Sequence, residues 1–66
     1  MNAVERRKEI EAVISDVRKM IEPMIAGRMT MWEQVGNSPR RDITQETIER
    51  NMRVIATYEK ILAADS

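Results

Sequence analysis

Met20 to Val35 reads "MIEPMIAGRMTMWEQV", and the fold turns on whether this stretch is helical throughout. Ahead of it, apolar residues recur at Ile10, Val13, Ile14, Val17 and Ile21, the three-and-four spacing of an amphipathic helix. Inside it the stripe continues through Met24, Ile25, Met31, Trp32 and Val35 in the same phase. Pro23 interrupts the run, because it donates no backbone hydrogen bond and its ring crowds the preceding turn, at about 3 kcal/mol in a straight helix. A kink or a break is expected there. The kept phase favours one kinked helix from Asn2 to Val35, against two helices with Pro23 opening the second. Both ends carry signals: Asn2 has Glu5 at capping-box distance, and Gly36-Asn37-Ser38-Pro39 offers a left-handed cap followed by a proline.

After the connector, Asp42 or Thr44 can open a second helix. Asp42 has Gln45 three residues on, and Thr44 as N-cap would place Ile43 and Ile48 as a hydrophobic staple. Its stripe runs Ile48, Met52, Ile55, Tyr58 and Leu62, widened by Val54 and Ile61, to about Ala63 or Ala64. At 1.5 Å per residue the first helix would be about 50 Å long and the second about 30 Å. Folded back on itself, the hairpin would leave Ile10, Val13 and Ile14 uncovered. The expected architecture is therefore all-α, a single domain over residues 1–66: a long kinked helix, a short loop and a second helix, assembling as a dimeric four-helix arrangement. Ile10, Val13, Ile14, Val17, Ile21 and Asn51 would line the interface between chains.

Composition narrows the function. A chain of 66 residues with neither Cys nor His has no disulfide, no thiol nucleophile and no ordinary zinc site, and no metal or cofactor is expected. So short a chain usually needs a staple, and self-association is the one left. Eleven basic residues balance eleven acidic ones, which argues against a nucleic-acid binder, whose affinity comes largely from a one-sided basic field. No stretch is apolar enough to span a membrane, and "MNAVERRKEI" is charged where a signal peptide is apolar. A cytoplasmic protein is expected. Eight Ile and six Met against a single Leu fit either ordinary core filling or an adaptable partner groove.

Some polar residues fall on the apolar stripes. Arg28 lies seven residues after Ile21 and seven before Val35, so its guanidinium must reach solvent or a surface acid, join an interior ion pair, or meet an anionic ligand. Asn51 shares the second stripe, where a lone Asn commonly sets register and oligomer number. Glu46 and Arg50 stand four apart, the spacing of an exposed helix ion pair. Arg28, Glu46 and Arg41 are the candidate ligand-binding residues.

"MIAGRMTMWEQVG" followed by "PRRDITQE" resembles the all-helical chorismate mutase family over about half the chain. The resemblance implies that Arg28 binds a substrate carboxylate and that Asp42 and Glu46 are the acidic positions opening the second helix, with Glu46 facing the substrate hydroxyl. It also implies that Arg7, in "RKEIE", reaches across the dimer, although it lies one helical turn too far from Arg28. Pro39 stands where the family has a lysine, Gln45 where it has an arginine, and the third helix is missing. "SPRRDIT" is also somewhat similar to small phage-encoded helical proteins that sequester cyclic nucleotides between subunits. Loss of the fixed cations that clamp a dianion weighs against catalysis. The preferred expectation is a non-catalytic homo-oligomeric module that binds a protein helix or a small anion at an inter-helix seam, ahead of a chorismate-mutase-like enzyme and of a nucleotide-sequestering protein.

Overall fold

A computed structural model describes residues 3–64, so the proposed Asn2 cap lies outside the described residues. Helix α1 runs Ala3–Ile25, strands β1 (Trp32–Glu33) and β2 (Arg41–Asp42) follow, and helix α2 runs Thr44–Ala64. The two helices form an antiparallel hairpin, and the strands form a two-stranded antiparallel ribbon that pairs Trp32 with Asp42 and Glu33 with Arg41.

The long helix to Val35 does not form. Pro23 sits within the last turn of α1, and the helix stops because Gly27 is available two residues after Ile25. Gly27 takes φ +78°, its N–H donates to Met24 O at 3.2 Å, and Arg28 N–H donates to Pro23 O at 2.8 Å. This pair of bonds around a left-handed glycine is the Schellman motif, which satisfies the carbonyls a helix end leaves over. Neither expected alternative, a kinked helix or a second helix opened at Pro23, describes the chain. Met31, Trp32 and Val35 keep helical phase by coincidence, and the all-α expectation gains a small ribbon.

The ribbon leads into α2 through a short polar lock. Ile43 N–H donates to Met31 O at 2.8 Å. Thr44 Oγ1 accepts from Met31 N–H at 2.9 Å and donates to Asp42 Oδ1 at 2.6 Å, and the same Asp42 oxygen accepts from Thr44 N–H at 2.8 Å. Asp42 thus belongs to β2 and caps α2 from outside, while Thr44 is the first helical residue rather than the N-cap.

Shortening α1 removes the overhang. The helices have 23 and 21 residues, about 34 and 31 Å, and α2 covers α1 nearly end to end. The core comprises Ile14, Ile21, Met24, Ile48 and Ile55, with Ile10, Val17, Tyr58 and Leu62 packed against it. Ile14 and Ile21, expected between chains, are therefore buried within one hairpin, and Ile10 and Val17 pack on the same core. Val13 remains exposed and Asn51 half-buried. Among the described residues no helix is long and apolar enough to cross a membrane.

Candidate functional site

The loop and ribbon gather most of the polar residues singled out from the sequence. Arg41 projects from β2 and bridges two acids, Glu33 on β1 and Glu46 in the first turn of α2, each at 2.8 Å. Its hydrogen bond to Glu33 and the charge of Glu46 raise its pKa above an already high value. Glu46 therefore pairs back to the ribbon and not forward to Arg50. Asp42 is held below the usual carboxylate range by the hydroxyl of Thr44 and then by its backbone N–H. Arg28, leaving the Gly27 turn, reaches Glu22 at 3.0 Å with both side chains largely exposed. Trp32 donates its indole N–H to Thr30 Oγ1 at 3.0 Å, and Arg40 lies 5.5 Å from its ring centroid.

Arg28 does not stand on a helix stripe, and the reason is the helix stop at Gly27. Of its possible fates, the surface acid is the one observed. Arg7 is at the other end of the hairpin, where it pairs with Glu11 and donates to Leu62 O, each at 3.3 Å. Eighteen residues of helix, about 27 Å, separate it from the end of α1. Within one chain, then, Arg41 pairs with Glu46, Asp42 follows Arg41 on β2, Arg28 holds Glu22, and Arg7 lies at the other end of the hairpin. Of the loop's cations, Arg28 and Arg41 face carboxylates of the same chain and Arg40 lies over Trp32, and no charged or polar residue is buried among the described residues. Nor do three or more potential metal-ligating side chains cluster there.

A second feature runs along the helix pair. Ile21 and Ile25 of α1 and Met52, Ile55 and Ala56 of α2 line an open groove of about 480 Å³, with Arg18, Glu22 and Glu59 at its rim. Arg18 Nη2 meets Glu59 Oε1 at 3.3 Å across the seam. Ile25 and Met52 are more than half exposed there. The sequence reading placed Met52 on the second stripe but did not find the groove. The available signal was the pair of charges, Arg18 and Glu59, set directly beside the two apolar stripes.

The opposite flank of the helix pair is different. At 100° per residue, Val13 and Met20 fall on the side of the Ile14 and Ile21 stripe away from Arg18 and Glu22, while Asn51, Val54, Tyr58 and Ile61 fall on the side of the Ile48 and Ile55 stripe away from Met52 and Ala56. Since the groove residues share one face, these share the other. Val13, Met20, Val54 and Ile61 are each between 37% and 46% exposed. The hairpin is one layer of helices with apolar surface on both sides.

No protein-family profile matches the chain, and neither a curated protein nor a solved structure does.

Proposed function

We propose that the chain is a non-catalytic interaction module that works as a homodimer, two hairpins stacked into a four-helix arrangement whose outward grooves receive an amphipathic helix of a partner protein. One observation carries this reading. Among the described residues five hydrophobic side chains are buried, whereas eleven large ones are exposed. The molecule measures 48 × 25 × 16 Å with a radius of gyration of 15.4 Å, against about 11 Å for a compact chain of this length. A single layer cannot bury two apolar faces, and a second layer covers one of them.

The groove suits a helix better than a small anion. Its floor is aliphatic and includes the adaptable Met52, and its rim carries both signs of charge, which is how helix-in-groove recognition is built. A dianion needs converging cations that lack acids of their own, while Arg18, Arg28 and Arg41 each hold a carboxylate at 3.3 Å or less.

Sedimentation at two concentrations tests the dimer, with twice 7.7 kDa expected; a fully helical species of 7.7 kDa at both would overturn it. Native mass spectrometry from host extract tests the groove. A protein retained at fixed stoichiometry by the wild type and lost from Met52→Glu is expected. A retained small dianion would transfer the function to an anion pocket.

A further inference from the structure

The groove lined by Ile21 and Met52 continues past its central floor, and its two ends differ in charge. We infer that its occupant is an amphipathic helix of a partner protein with a two-turn apolar stripe and a basic residue one turn beyond it, which meets Asp42 and Glu49. This inference rests on the groove reading above and adds to it the charge of the partner and where that charge sits.

The length of the groove sets the stripe. A second cavity of about 650 Å³ adjoins the first and shares Ile25 and Met52 with it, and its wall goes on through Met24 and Ile48 to Asp42 and Gln45. Apart from Val4, Ile25 and Met52 are the most exposed large hydrophobics of the two helices, at 59% and 53%. On α2 the lining residues Gln45, Ile48, Met52, Ile55 and Glu59 keep the three-and-four spacing of one helix face, so the two cavities form one channel. Its apolar floor on α2, from Ile48 to Ala56, is about 12 Å long. A helix laid along it covers that length with anchors at i, i+4 and i+7.

Charge sets the rest. At one end the Arg18–Glu59 pair crosses the seam, and on the rim Glu22 holds Arg28; both pairs are neutral. The other end is acidic. Asp42 gives only Oδ1 to Thr44, which donates its hydroxyl at 2.6 Å and its backbone N–H at 2.8 Å, and among the described residues Oδ2 accepts no hydrogen bond. Glu49, one turn from both Gln45 and Met52, accepts the Gln45 amide at 3.3 Å. Among the described residues neither carboxylate forms an ion pair. The cations nearby are turned elsewhere: Arg41 is held by Glu33 and Glu46, and Arg40 lies over Trp32. Arg53, four residues after Glu49, does not pair with it. A Lys or Arg placed one turn outside the stripe meets two carboxylates there, whereas an acid in its place is repelled by both.

The test uses two synthetic helical peptides with the same three leucines at i, i+4 and i+7. One carries Lys one turn outside the stripe at each end, the other Glu at the same positions. Because the protein's formal charge is zero, a preference between them reports the groove and not a field of the whole surface. Calorimetry is expected to show the Lys peptide binding the wild type about tenfold more tightly, a ratio that shrinks as salt is added. Glu49→Lys, at an exposed position outside the core, should reduce the preference to less than about twofold. Met52→Gln, which adds no charge, should weaken both peptides about tenfold. Equal binding of the two peptides, or a preference that survives Glu49→Lys, would overturn the basic partner, while loss of both in Met52→Gln would keep the groove. Binding of neither peptide, or binding unaffected by Met52→Gln, would remove the groove reading itself and this inference with it. A wild-type dimer that Met52→Gln dissociates in sedimentation would mean that a second copy of the chain fills the groove, which also overturns the inference.

Discussion

The helix pair and the ribbon are held by opposite means. Between α1 and α2 the cohesive surface is aliphatic, with Ile21 only 3% exposed and Met24 4%. From Ile25 to Asp42 every residue is exposed, and what fixes the ribbon is a set of polar contacts: Arg41 between two acids, Thr44 between Met31 and Asp42, Trp32 on Thr30. Apolar burial is proportional to area and acts cooperatively across the seam. Exposed hydrogen bonds and ion pairs compete with water and net little each. The difference predicts two stabilities in one short chain, with the ribbon opening at lower free energy than the helix pair. The sole Trp reports on the ribbon and the sole Tyr, Tyr58, on the helix pair, so the two regions can be followed separately.

The largest effect is expected from the helix pair. Ile21→Ala removes a nearly fully buried side chain from the centre of the core and should cost about 2 to 5 kcal/mol, much of what a domain this small possesses. Urea titration followed by circular dichroism at 222 nm should show the midpoint collapse. Trp32→Ala, in contrast, takes away a side chain 49% exposed and should leave that midpoint nearly unchanged. Equal losses would show that the ribbon and the helices form one cooperative unit.

Most of the helix pair was legible in the sequence because its signal is periodic. The stripe from Ile10 to Ile25 and the stripe from Ile48 to Leu62 fix the two helices, their antiparallel packing and their apolar faces. The ribbon was not legible because it buries nothing, so no periodicity marks it, and three of its neighbourhood's apolar residues fall in helical phase. The Ala26-Gly27 step after Met24 and Ile25 was the missed signal: a glycine directly behind a hydrophobic turn stops a helix more effectively than a proline inside it bends one. With that stop misplaced, Arg28 moved onto a stripe it does not occupy, and Ile14 and Ile21 were assigned to a partner chain. The proximity of Arg41, Asp42 and Glu46 needed no such step, since all three lie within six residues at the entry to α2.

The junction between the regions can be probed at its two glycines. Gly27 and Gly36 both have positive φ, +78° and +56°, and a Cβ on either would meet nothing within 4 Å. Any cost of Ala there is backbone strain alone, about 1 to 2 kcal/mol. The readouts should separate. Gly27→Ala opens the cap of α1 and should lower the helical midpoint seen at 222 nm. Gly36→Ala strains the turn closed by Ser38 N–H on Val35 O at 3.0 Å and should register in Trp32 emission, with the 222 nm transition unmoved.

The smallest effect is expected at Asp42, and it sharpens the contrast because it involves charge alone. The Thr44 hydroxyl and backbone N–H both donate to Asp42 and hold its pKa down in the folded chain, whereas in the unfolded chain it titrates near the ordinary value of about 3.9. A carboxyl whose pKa is depressed on folding contributes stability above its unfolded pKa, and this is lost as pH falls through the folded one. As pH falls through the unfolded value and below it, therefore, the ribbon should loosen before the helices do. Trp32 emission should follow this loss, and Asp42→Asn should flatten that part of the acid profile while other carboxylates still titrate. Thr44→Val supplies the control. It removes the hydroxyl that holds Asp42 down and also strands the Met31 N–H, so it should raise the Asp42 pKa toward its unfolded value in a side-chain chemical-shift titration and speed amide exchange at Met31. An Asp42 pKa that did not move in Thr44→Val would mean that the ribbon lock is made by the backbone pairing of Met31 with Ile43 and not by the side chains around it.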